Sequence, residues 1–368
     1  MSALLRKDRI IAPGGGTNPG VVKVMIVDDS LTVRTVFSRM IQREGDMEIV
    51  ATAGTAERAL MELRSTEVDV ILLDLEMPGM GGLEALPKML ETSGGAQVLV
   101  VSSLTAEGAE HTLTALSMGA ADTMLKPRPG GFNDDYRDSL LGKIRALGSG
   151  VAEKEAEANT AAAAPSPRKA RIGKRPQVIA IGASTGGIHA LNLFLRKIPA
   201  NFDLPILITQ HLPASFISVF AKQMEMAAGR KAVLADEGVE ITKGSIVIAP
   251  GHGHMIVRKS AGRFVTGLAY HPAKSGCTPS VDPMFETLAE VYDGHVTGVL
   301  LSGMGRDGTD GAQAIANAGG TILAQDAATS AVWGMPRAVA ENGVAAAVLP
   351  PEGLAEKLLT MVGADAWR

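Results

Sequence analysis

Between Val21 and about Leu147, short apolar runs alternate five times with segments of helical periodicity, and few folds accommodate that rhythm. The runs are VVKVMIV, MEIVATA, VDVILLDL, QVLVVSS and ADTMLK; the helical segments that follow them are Leu31–Arg43, Glu57–Arg64, Leu83–Glu91, Glu107–Met118 and Asp138–Ala146. Near-continuous apolarity suits strands buried on both faces, and helices placed between parallel strands supply both covers. The expectation for residues 21–146 is therefore a five-stranded parallel α/β domain.

Residues 147–176 break the pattern. They are rich in Ala, with Glu153, Glu155 and Glu157 early and Arg168, Lys169, Arg171, Lys174 and Arg175 late, a composition that predicts a solvated linker. Residues 1–20, with Gly14-Gly15-Gly16, read as a flexible extension. A second unit, 177–368, starts at QVIAIG and adds strand candidates at Pro205–Thr209, Ser245–Ala249, Val296–Leu301 and Thr321–Ala324. Helix candidates fall at Ile188–Arg196, Phe216–Ala227, Met284–Val291, Gly311–Ala318 and Glu352–Met361, and a hairpin turns at Ala261-Gly262. This half should be doubly wound and mainly parallel, with a small antiparallel hairpin.

Composition narrows the function. A net charge of -4 and 4% aromatic residues argue against a nucleic-acid partner. The single cysteine, Cys277, excludes an internal disulfide and points to a cytoplasmic protein. No apolar stretch approaches the about 18 residues of a membrane span, and the N-terminus lacks the order of a signal peptide.

Two constellations carry chemistry. Asp28 and Asp29 end the first strand, Asp74 the third, Ser102 the fourth, and Lys126 the fifth. Parallel strands project them all from one sheet edge, where carboxylates so close call for a hard cation such as Mg²⁺. Taken singly, each Asp could be a helix cap. Together with VDDS, LLDLEMPGMGG and VLVVSSLT, the set resembles the response-regulator receiver domain over residues 21–146. The resemblance implies that the fold is flavodoxin-like, that Asp74 is the phosphoacceptor and that Asp28, Asp29 and Asp74 hold Mg²⁺. It also implies that Ser102 is the switch hydroxyl and Lys126 the phosphate-contacting lysine of the receiver switch; Thr123 stands where receivers often carry an aromatic.

The second constellation centres on VIAIGASTGG, where Ser184 follows an apolar strand in a G-x-S-x-G turn. Such a turn also serves dinucleotide binding, and Tyr270 with Lys274 even completes a Y-x-x-x-K pair, but Pro272 between them breaks the helix that pair requires. His211 and Asp307 follow other predicted strands and could join Ser184 at one edge as base and orienting carboxylate. His252 and His254, even with His271, make an H-x-H pair without a convincing third and fourth metal ligand, and Cys277 has no specified base, so neither set is assigned catalysis.

With QHLP, SGCTPSVDPMF, SGMGRDG and QDAATSAVWGMP, the GASTGG elbow resembles the catalytic domain of the chemotaxis protein-glutamate methylesterases over residues 177–365. The resemblance implies Ser184 as nucleophile, His211 as general base and acid, Asp307 as its carboxylate, and the Met304 backbone N–H in the oxyanion hole. It further implies a phosphorylation-activated hydrolase that releases methanol from glutamate methyl esters on methyl-accepting chemoreceptors, with deamidation of receptor glutamines as a second activity. A chemotaxis histidine kinase would donate the phosphoryl group, and the ester chemistry would need no cofactor. The protein would work in the cytoplasm, recruited to receptor arrays without inserting into the membrane. A receiver joined to an inactive binding scaffold is the competing reading.

Overall fold

A computed structural model describes residues 20–103, 105–127, 131–159 and 173–363. Most of the N-terminal extension and residues 160–172 of the linker stretch lie outside the described residues.

The first half holds strands β1 (Val22–Val27), β2 (Met47–Ala53), β3 (Val70–Asp74), β4 (Gln97–Ser102) and β5 (Asp122–Leu125), alternating with helices α1 (Leu31–Ile41), α2 (Ala56–Glu62), α3 (Gly82–Thr92), α4 (Ala106–Met118) and α5 (Asp134–Asn159). All pairings are parallel, in the order β2-β1-β3-β4-β5. Every residue of β3 is buried, as a central strand covered on both faces requires. Ser30, Thr55 and Thr105 start α1, α2 and α4 by accepting hydrogen bonds from the backbone of Val33, Arg58 and Gly108.

Helix α5 differs from the sequence expectation, which ends it near Ala146. Its Leu140, Leu141, Ile144 and Leu147 pack into the core with Val24, Ile26 and Phe37. Beyond them the Ala- and Glu-rich sequence has high helix propensity, and the helix continues to Asn159.

The second half comprises β6 (Val178–Ala183), α6 (Gly187–Lys197), β7 (Ile206–Gln210), α7 (Ala214–Ala228), β8 (Ala232–Leu234), β9 (Ile246–Ile248), β10 (His254–Ser260), β11 (Arg263–Ala269), α8 (Val281–Val291), β12 (Val296–Leu300), α9 (Thr309–Asn317), β13 (Thr321–Gln325), α10 (Met335–Glu341), β14 (Ala347–Leu349) and α11 (Pro351–Val362). Seven strands form a parallel sheet in the order β14-β13-β12-β6-β7-β9-β8. The antiparallel hairpin β10-β11 stands apart and packs on α8. Elements β8, α10 and β14, absent from the sequence reading, span 3, 7 and 3 residues, too few to show a period.

Both sheets reverse their strand order beside a central strand, at β1/β3 and at β6/β12, and such reversals open a crevice at the C-terminal strand ends. The halves also touch: α4 packs on α6 and α7, and Ala331 and Val332 of the second half join the core of the first. Among the described residues no helix is long and apolar enough to cross a membrane.

Candidate active site

Strand β6 ends at Ala183, and Ser184 stands on the turn into α6 with its amide on the Ser302 carbonyl at 3.0 Å. The turn closes through Gly186 at φ 77°, a left-handed conformation in which a side chain would also strike Ser302 and Ala331. Gln210, at the end of β7, donates its side-chain amide to the Ser184 carbonyl at 2.9 Å. His211 follows, and its backbone amide donates to Ala183 at 3.0 Å. Adjacent strands thus set serine and histidine side by side.

His211 Nδ1 lies 3.1 Å from Ser184 Oγ, and Nε2 lies 2.7 Å from Asp307 Oδ2. Asp307, 3% exposed, comes from the loop after β12 on the other side of β6. Its Oδ1 accepts from the Ser280 hydroxyl at 2.6 Å and its Oδ2 from the Val281 amide at 2.7 Å. Burial alone would raise the Asp307 pKa, but His211, Ser280 and Val281 outweigh it and bring it down to about 2. Burial likewise works against a charged His211; the Asp307 hydrogen bond, with Cys277 next to it, prevails and pushes the imidazole up to about 9. In the neutral ring an ionised Asp307 fixes the proton on Nε2 and leaves Nδ1 to accept from Ser184. The chymotrypsin-type arrangement uses the two ring nitrogens in the opposite order.

Beside Asp307, Asp282 accepts the Gly311 amide at 2.7 Å. Burial first, then the negative charge of Asp307, hold its pKa above the usual carboxylate range. Gly303 passes so close that a Cβ there would stand 2.8 Å from that of Ser184, and the exposed Met304 follows it in the same loop. Cys277 contributes to the surroundings of His211, and Tyr270 stacks on His252 away from any helix.

The first half also faces this site. Asp122 Oδ2 accepts from Thr185 Oγ1 at 2.7 Å and from Lys143 Nζ at 2.5 Å. The Gly186 amide donates to the Ala121 carbonyl, and His189 Nδ1 lies 3.0 Å from the Ser117 carbonyl. Leu116, Ala120, Ala121 and Asp122 wall the space beside Ser184 and His211, leaving about 10 Å³. That is about the room one water molecule needs.

At the other sheet edge, oxygens of Asp28, Asp29 and Asp74 lie within 4.8 Å of one another. Lys126 Nζ is 2.6 Å from Asp74 Oδ2 and 3.2 Å from Asp28 Oδ2. Asp28 Oδ2 nevertheless makes no hydrogen bond, nor does the buried Ser102 hydroxyl. Burial raises the Asp74 pKa despite Lys126, while Asp74 and Asp28 raise that of Lys126 against its own burial. An all-oxygen donor set in which Asp28 Oδ2 has an ion pair with Lys126 but no hydrogen bond fits a hard divalent cation.

Sequence reading missed Ser280, Asp282, Gln210 and Asp122. SGCTPSVDPMF contains the first two, but only the fold shows them converging on Asp307.

Comparisons with known proteins agree with this architecture. The CheB methylesterase family model matches residues 179–358, and the response regulator receiver domain model matches residues 24–131. The protein-glutamate methylesterase/protein-glutamine glutaminase 2 of Caulobacter vibrioides is 44% identical, covering 89% of this chain and 95% of that protein. The protein-glutamate methylesterase/protein-glutamine glutaminase of Azospirillum brasilense is 38% identical, covering 92% of each. Among solved structures, the Thermotoga maritima CheB methylesterase catalytic domain superposes with a TM-score of 0.50 at 35% identity, covering 51% of this chain and 99% of that one.

Proposed function

Because the chain belongs to the CheB methylesterase family and carries a receiver domain ahead of its catalytic half, we propose that it hydrolyses glutamate methyl esters on chemoreceptor helices through Ser184, His211 and Asp307, under the control of phosphorylation at Asp74. The observation that carries the reading is the continuous chain from Ser184 Oγ through both nitrogens of His211 to Asp307, with hydrogen bonds of 3.1 and 2.7 Å.

Ser184 Oγ attacks the ester carbonyl carbon as His211 Nδ1 takes its proton, and Asp307 stabilises the imidazolium. The Met304 amide receives the developing oxyanion. Collapse breaks the carbonyl-methoxy bond, and the departing oxygen takes the proton from Nδ1 and leaves as methanol. Water, deprotonated by the same nitrogen, then cleaves the acyl-serine to restore Ser184 and release glutamate. The same sequence with ammonia as leaving group deamidates glutamine.

Residues 21–146 form the receiver and residues 177–368 the catalytic domain in this reading, with 147–176 between them and 1–20 as an extension. Asp28, Asp29 and Asp74 would hold Mg²⁺, which when bound supplies positive charge beside the phosphoryl oxygens. Asp74 accepts the phosphoryl group from a histidine kinase, Lys126 pairs with its oxygens, and the unpartnered Ser102 hydroxyl is free to donate to it. Leu116, Ala120, Ala121 and Asp122 of the receiver wall the space beside Ser184 and His211, so in this reading the receiver moves for a receptor helix to enter. Phosphorylation would favour that movement in the cytoplasm, at the receptor array.

The test is methanol release from methylated receptor cytoplasmic fragments by wild type and Ser184→Ala. Release that disappears with Ser184 supports the reading. Binding of the fragments without release by a folded wild type would favour the scaffold instead.

A further inference from the structure

His254 opens β10 and is 1% exposed, yet the chemistry above gives it no part. Both of its ring nitrogens are engaged. The Ser280 backbone N–H donates to Nδ1 at 2.9 Å, and Nε2 lies 2.8 Å from the His271 carbonyl oxygen. A carbonyl only accepts, so Nε2 carries the proton and Nδ1 carries none. The ring is held in a single tautomer by two backbone groups, which leaves no nitrogen lone pair free for a metal in the H-x-H motif.

What His254 holds is the residue that holds Asp307. Ser280, 0% exposed, precedes α8 and donates its hydroxyl to Asp307 Oδ1 at 2.6 Å, while the next amide, Val281, donates to Oδ2 at 2.7 Å. Asp307 Oδ2 in turn accepts the hydrogen bond donated by His211 Nε2 at 2.7 Å. We propose that His254 is a positioning residue for ester hydrolysis, anchoring the Ser280 amide so that Ser280 and Val281 aim the Asp307 carboxylate at His211. This inference rests on the assignment of Ser184, His211 and Asp307 made above.

The physical need is local. The loop from Ser275 to Ser280 leads from the hairpin to α8 with no strand to pair it, so its last amide must find a side-chain acceptor or stay buried without one. An apolar replacement at 254 leaves that N–H unpaired, and the loop relaxes towards solvent. Asp307 then loses the donors that fix its plane, and His211, which faces Ser184, Cys277 and Asp307, loses its aligned partner.

Full-length His254→Leu and His254→Asn separate positioning from bulk, because the Asn Oδ1 can occupy the place of Nδ1 and accept from Ser280 while Leu cannot. We expect His254→Leu to lower kcat for methanol release about tenfold to a hundredfold with KM nearly unchanged, the loss that a small misplacement of catalytic groups brings. NMR titration of the His211 ring should show its midpoint fall from about 9 towards the free-imidazole value of about 6.5. His254→Asn should restore most of both. Should His254→Leu fail to fold, Ser280→Ala removes the hydroxyl that donates to Asp307, one step closer to His211, and should move the His211 midpoint in the same direction. The His211 titration needs no substrate, so it reads the relay even where methanol release fails. A His211 midpoint and kcat at wild-type values in folded His254→Leu, an unmoved midpoint in Ser280→Ala, or an Asn variant no better than Leu would overturn the proposal.

Discussion

Asp74 and Asp307 both stand at the C-terminal edge of a parallel sheet where strand order reverses, yet burial moves the first carboxyl's pKa up while hydrogen bonds bring the second down to about 2. The difference lies in how many partners each site supplies. Around Asp307 two protein donors and a histidine meet one carboxylate. Around Asp74, Asp28 Oδ2 and Ser102 Oγ make no hydrogen bond, and a single lysine faces two acids. A site that moves protons benefits from arrangement in advance, whereas a site completed by an incoming cation and phosphoryl group keeps polar atoms in reserve.

Asp307→Asn breaks the comparison most severely. It removes the charge that fixes the His211 tautomer, and kcat for methanol release should fall on the order of 10⁴-fold. The charged Asp307 stabilises the fold above the unfolded carboxyl pKa, and that stability is lost as pH falls towards about 2. For His211 the sign is opposite: its raised pKa stabilises the fold fully below the ordinary imidazole value and loses effect as pH rises through about 9. Catalysis needs the neutral ring, so kcat/KM should climb about tenfold per pH unit and level off above about 9, measured on a receptor fragment. A plateau already reached near neutrality would show that Asp307 is not coupled to His211 as the geometry indicates.

Smaller effects follow at the contact between the halves. Asp122→Ala deletes the hydrogen bond from Thr185, and basal methanol release should rise about fivefold, the equivalent of one ordinary hydrogen bond. Unchanged release would mean that this contact does not hold the halves together. Smallest of all, Asp74→Asn removes a carboxylate that burial disfavours. The first half should melt about 2–4 °C higher at neutral pH without Mg²⁺, about 1 kcal/mol of stability, and a lower melting temperature would reverse the contrast drawn with Asp307.

Much of this was legible in the residues themselves. The apolar runs VDVILLDL and VIAIG announce strands buried on both faces, and residues placed just after them must share an edge, which brings Asp28, Asp29 and Asp74 together in one half and Ser184 with His211 in the other. Asp307 was harder, because the loop from Leu301 to Gly308 separates it from its strand. Ser280 and His254 were illegible: one follows an irregular loop, the other sits on a separate hairpin, and only tertiary packing makes them neighbours. The length of α5 escaped because helix propensity without an apolar stripe leaves no periodic mark.

The central claim is that the receiver controls access to the serine. Methanol release by the full-length protein, with and without a small-molecule phosphodonor and Mg²⁺, tests it most directly, alongside Asp74→Asn and Ser184→Ala. The account predicts release that rises with the phosphodonor in wild type, stays at the basal level in Asp74→Asn and vanishes in Ser184→Ala. Equal release with and without phosphodonor, in a wild type shown to carry the phosphoryl group, would contradict it.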